Sequence, residues 1–211
     1  MSHPEERSAA PPPLLAVSLA AAAGWPLALF LGRLTGALDR VLAAYAALLL
    51  VVLFATDRAS LSRLFAFRAT HALLGAALGV VLVGLAHLVY PVLAARLPFV
   101  DDGVRAVYGG LSGPEALLTL AVIAVAEEAL FRGALVDGLA GKQSLPAAYA
   151  AAVVLYAVAQ LGAGIALLPP LALGFGVVFA LERRLSGSLW TPLATHLVWT
   201  PTVAVLFPIA P

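Results

Sequence analysis

Cysteine is absent from the 211 residues, which removes disulfides, thiol catalysis and cysteine-ligated metal centres together. Charge is scarce as well: Asp, Glu, Lys and Arg make up 11% of the chain, against about 25% in an ordinary soluble domain. The net charge is +1 and the basic residues form no block, so no nucleic-acid partner is expected. Lysine occurs only at Lys142, an arginine-heavy usage that fits a GC-rich bacterial source.

What is present is apolar. Hydrophobic residues make up 63% of the sequence and the mean hydropathy is +1.03, which implies an integral membrane protein rather than a surface-bound amphipathic anchor. The lipid bilayer is its first partner. A membrane span needs about 20 apolar residues at 1.5 Å each, and spans of that length fall near 14–32, 38–56, 70–95, 114–138, 145–162, 164–181 and 189–208. The expected fold is all-α, a polytopic transmembrane bundle of about seven helices around a polar cavity.

Residues 1–13 are polar and end in Pro11-Pro12-Pro13, so a disordered tail is expected there. Residues 14–113 form N-terminal transmembrane helices with an outer loop, and 114–208 form the core that carries the chemistry. The apolar run from Leu14 resembles a signal peptide with small residues at Ala20 to Gly24. Glu5 and Glu6 outweigh Arg7, however, and apolar residues continue to Leu31, which favours an uncleaved first helix. With the N-terminus inside, Arg7, Arg58, Arg63, Arg68, Lys142, Arg183 and Arg184 lie on the inner side. Arg33, Arg40, Arg96 and Arg105 lie outside, an asymmetry that supports this orientation. Leu97 to Gly113 reads as an outer re-entrant or interfacial piece, or as a solvated loop.

Within the fourth span, Ala126-Glu127-Glu128-Ala129-Leu130-Phe131-Arg132 sets two carboxylates and a guanidinium in apolar surroundings. Each such group at mid-bilayer costs roughly 2.5–3.5 kcal/mol on insertion scales, so they need partners or a task. Residues four apart share a helix face while neighbours diverge by about 100°. Arg132 is therefore expected to pair with Glu128, leaving Glu127 in the cavity as a general base. The competing reading is an ion pair that merely joins helices.

Glu127-Glu128-x-x-x-Arg132 resembles the first motif of the CAAX-protease and bacteriocin-processing family of glutamic intramembrane proteases. The downstream motifs of that family, an aromatic with histidine four residues on and a histidine with asparagine four residues on, have counterparts in Tyr156 with Gln160 and His196 with Thr200. Gln160 and Thr200 depart from the family pattern. The resemblance implies an all-helical scaffold in which Glu127 activates a water. Glu128 and Arg132 support it, Gln160 positions the water, and His196 with Thr200 holds the oxyanion. Glutamine still makes hydrogen bonds but does not titrate. The substrate implied is a membrane-anchored protein or peptide, cut near the inner surface of a bacterial cytoplasmic membrane from a cavity open to the inner side. The alternative is a degenerate relative that binds membrane segments without cutting them.

A metal centre is the rival chemistry, since two glutamates and a histidine are legitimate zinc ligands. Adjacent glutamates diverge and only His196 falls in the motifs, so no metal and no other cofactor is expected. His71, near the inner end of the third span, is weighed as a partial substitute for the missing histidine. His87 is expected to be a hydrogen-bonded packing residue, and Asp137 to face interfacial water or Lys142.

Overall fold

The computed structural model describes residues 12–210, which are helical with no strand among them. The elements are α1 (Pro12–Thr35), α2 (Leu38–Thr56), α3 (Arg58–Leu64), α4 (Ala69–Arg96) and α5 (Pro98–Tyr108). They continue with α6 (Gly113–Glu127), which runs through a π-helical segment (Glu128–Ala134) into α7 (Leu135–Ala140). Then come α8 (Leu145–Ala159) with a 3-10 turn (Gln160–Ala163), α9 (Leu168–Ser186), and α10 (Trp190–Pro201) with a π turn (Thr202–Leu206). The tail expected at 1–13 lies, as far as residue 11, outside the described residues.

Every expected span has a helix in its place. Four are uninterrupted and apolar enough to cross a membrane: Pro13–Thr35, Leu38–Thr56, Ala69–Arg96 and Leu145–Ala163. The others are where polar chemistry interrupts the run. The α6–α7 rod carries Glu127, Glu128 and Arg132 through its π segment, α9 ends on Glu182-Arg183-Arg184, and α10 breaks after Pro201. Large apolar side chains such as Leu73, Val80, Val81, Leu85 and Leu88 of α4 are exposed, a surface that suits lipid and would be costly in water.

The segment after Leu97 is a helix rather than a loop. α5 buries Val100, Gly103 and Val104 and turns Asp102 and Arg105 outward. It is tied to α4 by the Tyr90 hydroxyl, which donates to Asp101, and Arg105 pairs with Asp101 at 3.0 Å. These two partners, Tyr90 first, hold the Asp101 carboxyl below its usual range.

Two ends of the bundle are defined by contacts. At one end, which holds the start of α1, Leu189 N–H donates to the Leu64 carbonyl (3.2 Å) and the Trp190 indole to that of Phe65 (2.8 Å). Gly138 of α7 packs on Leu15 of α1 there. At the other end Arg33 donates to the Ala163 carbonyl (2.8 Å), Gly103 packs on Leu167, and His87 contacts the Phe207 carbonyl at 3.1 Å. These are called the near and far ends below.

α10 carries His196, and its position is set by α4. A Cβ on Gly75 would stand 2.1 Å from the Thr191 carbonyl oxygen, and one on Gly79 would stand 2.7 Å from Val198 Cβ. Glycine at this four-residue spacing lets two backbones approach, as it does in membrane helix pairs. Thr195 uses the closeness by donating to the Gly75 carbonyl at 2.9 Å. Gly79→Leu is expected to lower stability by about 1–3 kcal/mol through overpacking, read as a lower unfolding midpoint in detergent. Gly84→Leu, at a site where a Cβ meets nothing within 4 Å, should leave that midpoint unchanged.

Candidate active site

The π segment is a local widening of the helix, in which Leu135 N–H bonds the Leu130 carbonyl five residues back, and such turns recur at functional sites. Its first residue is Glu128. All seven of its residues are buried, and Glu127 just before it is buried as well. The expected Glu128–Arg132 pair is present at 3.3 Å. Arg132 also lies over the ring of Tyr156 (4.2 Å) and faces Phe179 (5.1 Å), which adds cation–π attraction where water is excluded.

Regular helical spacing predicts that Glu127 stands apart from that pair. His196 instead reaches both carboxylates: Nδ1 is 3.1 Å from Glu128 Oε1, and Nε2 is 3.7 Å from Glu127 Oε2. The imidazole stacks on Phe179 with centroids 4.9 Å apart. Glu127 has two further partners from α8. The Tyr156 hydroxyl donates to Oε2 at 2.9 Å and the Gln160 amide donates to Oε1 at 3.3 Å. Tyr156 and Gln160 are four residues apart and share one face of α8.

These groups open into a cavity of about 560 Å³ whose wall includes Glu127, Tyr156, Gln160, His196, Trp199 and Thr200. The cavity runs to the far end, where Gly36, Asp39, Gly109 and Gly110 line it. The anticipated opening was on the side that carries the start of α1. A second, apolar cavity of about 320 Å³ lies between α4, α5, α9 and α10 and shares Tyr108, Phe175 and Trp199 with the first.

Behind the imidazole stands a carboxylate the sequence did not single out. Thr195 Oγ1 stands 2.9 Å from Glu182 Oε1, and Glu182 is buried one turn beyond Phe179 on α9. Its position in Glu182-Arg183-Arg184 at a helix end reads as an interfacial charge run. The available signal was helical register, which places Glu182 on the same face as Phe179. Tyr156 was counted only as the aromatic of a motif, and its bond to Glu127 was not foreseen. Among the described residues, Glu128 Oε2, Arg132 Nη2 and Glu182 Oε2 are buried without a hydrogen-bond partner.

Other sequence candidates fall elsewhere. His71 does not line the cavity. His87 contacts the carbonyls of Val83 (2.9 Å) and Phe207 (3.1 Å) as a packing residue. Asp137 is 3.9 Å from Arg183. No group of three or more His, Asp or Glu among the described residues is arranged to hold a metal ion.

Residues 109–201 match the family model described as Type II CAAX prenyl endopeptidase Rce1-like. This segment, a little under half of the chain, is similar to that family. The Rce1-like segment contains each of Glu127, Glu128, Arg132, Tyr156, Gln160, Glu182, His196 and Thr200. α1, α2 and α5 lie before it and contribute to the wall of the cavity. Neither curated proteins nor solved structures provide a match to the chain.

Proposed function

We propose that this chain is an intramembrane endopeptidase that hydrolyses a peptide bond in a membrane-associated protein or peptide. The observation that carries the reading is His196 set between Glu127 and Glu128 at the inner end of a cavity. With Nδ1–H donated to Glu128, the imidazole is fixed in one orientation with Nε2 towards Glu127, and a hydrogen-bonded carboxylate commonly orients a working histidine in this way. The 3.7 Å gap between Nε2 and Glu127 Oε2 exceeds a direct hydrogen bond, and a water beside it would touch both groups.

Glu127 takes a proton from that water as its oxygen attacks the scissile carbonyl carbon. The proton passes to the amine nitrogen as the carbon–nitrogen bond breaks. The second amide hydrogen of Gln160 and the Thr200 hydroxyl supply donors for the developing oxyanion. The apolar cavity beside the site supports a substrate that is itself membrane-associated. A bacterial cytoplasmic membrane is the setting proposed for it.

Glu127→Gln keeps the shape, its amide oxygen accepting from Gln160 and its NH2 donating to the Tyr156 hydroxyl, but removes the base. Cleavage of membrane-anchored peptides in detergent should fall about 10²–10⁴-fold, the usual worth of a positioned base, with the unfolding midpoint retained. Undiminished cleavage in that variant would overturn the reading. One observation favours a second reading, a binder of membrane segments without turnover: an amide, Gln160, bonds Glu127 where the resemblance expects an imidazole. Activity seen only after Gln160→His with Thr200→Asn would establish that second reading.

A further inference from the structure

Among the described residues three glutamates are buried, Glu127, Glu128 and Glu182, and the hydrolysis set out above uses only the first two. Glu182 stands beside His196. α9 and α10 meet there through two neighbouring pairs. Phe179 stacks on the His196 imidazole with centroids 4.9 Å apart, and Glu182, one turn further along α9, is 2.9 Å from Oγ1 of Thr195, the residue before His196. Residues three apart on a helix share a face, so one face of α9 meets two consecutive residues of α10.

The hydrogens at Thr195 can be counted. Its hydroxyl oxygen is 2.9 Å from the Gly75 carbonyl, 2.9 Å from Glu182 Oε1 and 3.1 Å from the Thr191 carbonyl, and it has one hydrogen to give. The two carbonyls can only accept, so that hydrogen goes to them and the lone pairs of the hydroxyl face Glu182. Two oxygens at this distance attract only with a hydrogen between them, and the hydrogen left to fill that place is one on Glu182. The other carboxyl oxygen agrees. Glu182 Oε2 is buried without a hydrogen-bond partner, which costs an ionised carboxylate far more than the carbonyl oxygen of a neutral acid. The surrounding charges agree as well. Glu128, Arg132 and His196 are within electrostatic reach of Glu182, while Arg183, next to it in sequence, is 3.9 Å from Asp137. An ionised Glu182 would join Glu127 and Glu128 as a third buried carboxylate around Arg132.

We propose that Glu182 is held as a neutral carboxylic acid that donates its hydrogen to Thr195 and so sets where His196 stands between Glu127 and Glu128. Glu182 is a positioning residue, since it does not line the cavity and acts through Thr195. Thr195 is bound on two sides, to Gly75 of α4 and to Glu182 of α9, which fixes the turn of α10 that carries His196. The consequence for hydrolysis rests on the endopeptidase reading above, whereas the hydrogen-bond assignment does not. A reacting group displaced by about 1 Å can lose about 10²-fold in rate, so the placement of the imidazole is where Glu182 matters.

Two substitutions test this. Glu182→Gln keeps the shape and a donor, its NH2 facing Thr195. Glu182→Met keeps the length without a donor and strands no polar atom, because Thr195 retains the carbonyls of Gly75 and Thr191. The infrared difference between the native protein and Glu182→Gln, in detergent at neutral pH, is expected to contain the C=O stretch of a neutral carboxyl group. A carboxylate band in its place overturns the proposal. With isotope-labelled histidine, the His196 ring signals in NMR, identified by their absence in His196→Asn, should coincide in the native protein and Glu182→Gln and shift in Glu182→Met. Signals alike in all three overturn the positioning role, as does a shift in Glu182→Gln as large as that in Glu182→Met. In cleavage of a membrane-anchored peptide, Glu182→Gln should retain kcat, while Glu182→Met should lose it about 10²-fold with KM and the unfolding midpoint little changed. A midpoint that falls together with activity, or a Glu182→Met that does not fold, shows a structural role and overturns the proposal. A native protein that cleaves nothing overturns the endopeptidase reading alone, since neither spectrum requires turnover.

Discussion

Arg132→Ala is expected to be the most destabilising single change in the Rce1-like segment, by about 3–5 kcal/mol, the usual cost of leaving one member of a buried pair alone. Arg132 is 2% exposed and its partner Glu128 is fully buried. Once the guanidinium is gone, Glu128 keeps only His196, and the space over the Tyr156 ring is empty. The cavity adds its own penalty to the electrostatic one. Thermal unfolding in detergent should show a large fall in midpoint, or loss of the folded species on a sizing column. Arg132→Lys should recover little, because a compact ammonium does not reproduce the planar group stacked over Tyr156. Arg132→Met combined with Glu128→Gln should be more stable than Arg132→Ala alone, since both charges are then gone and volume is kept. If that double variant is no better than Arg132→Ala, the stacked guanidinium itself, rather than an unpaired charge or lost volume, governs the site.

Much of this was legible in the residues. The positions of the spans follow from apolar length, which is why 38–56 and 145–162 coincide closely with α2 and with α8 and its closing turn. The Glu128–Arg132 pair follows from four-residue spacing. What spacing could not convey is the π segment, because the sequence pattern assumes uniform rotation per residue and a single widened turn changes where every later side chain points. The oxyanion role of His196 came from the resemblance, and spacing gave no sign that it would meet both glutamates. Its contact with both glutamates depends on how close α10 sits to α4, and hence on Gly75 and Gly79, whose role is invisible without their neighbours. Glu182 was overlooked because a charge at a helix end has an ordinary explanation at the interface. α5 was left open between a re-entrant or interfacial piece and a solvated loop, since an amphipathic helix of 11 residues is too short to read as a span. The direction of the mouth was the least readable feature: depth along separate helices says that groups share a layer, not from which end that layer is reached.

His196→Ala should give the largest loss of activity. It removes the group that connects the two carboxylates, and among the described residues no other histidine lines the cavity, His71 being outside it. Hydrolysis is expected to fall by at least about 10³-fold, at the upper part of the range for a positioned acid–base group. The decisive comparison is with Glu127→Gln and the double variant. If Glu127 and His196 hold one water between them, removing either destroys the same arrangement, and the double variant should be scarcely worse than the more damaging single one, as for other groups that act as a unit. Independent roles would instead multiply the two losses. Stability separates the two changes in another way. Glu127→Gln neutralises a buried charge and keeps one acceptor oxygen for Gln160, with the Tyr156 contact reversed in direction, whereas His196→Ala leaves Glu127 and Glu128 adjacent with Arg132 as the remaining partner of Glu128 and vacates the face of Phe179. The unfolding midpoint should therefore drop for His196→Ala and recover in part when Glu127→Gln is added, even though the activity does not. A double variant whose stability falls further would mean that His196 is not shared between the two carboxylates, and the proposed water site would lose its basis.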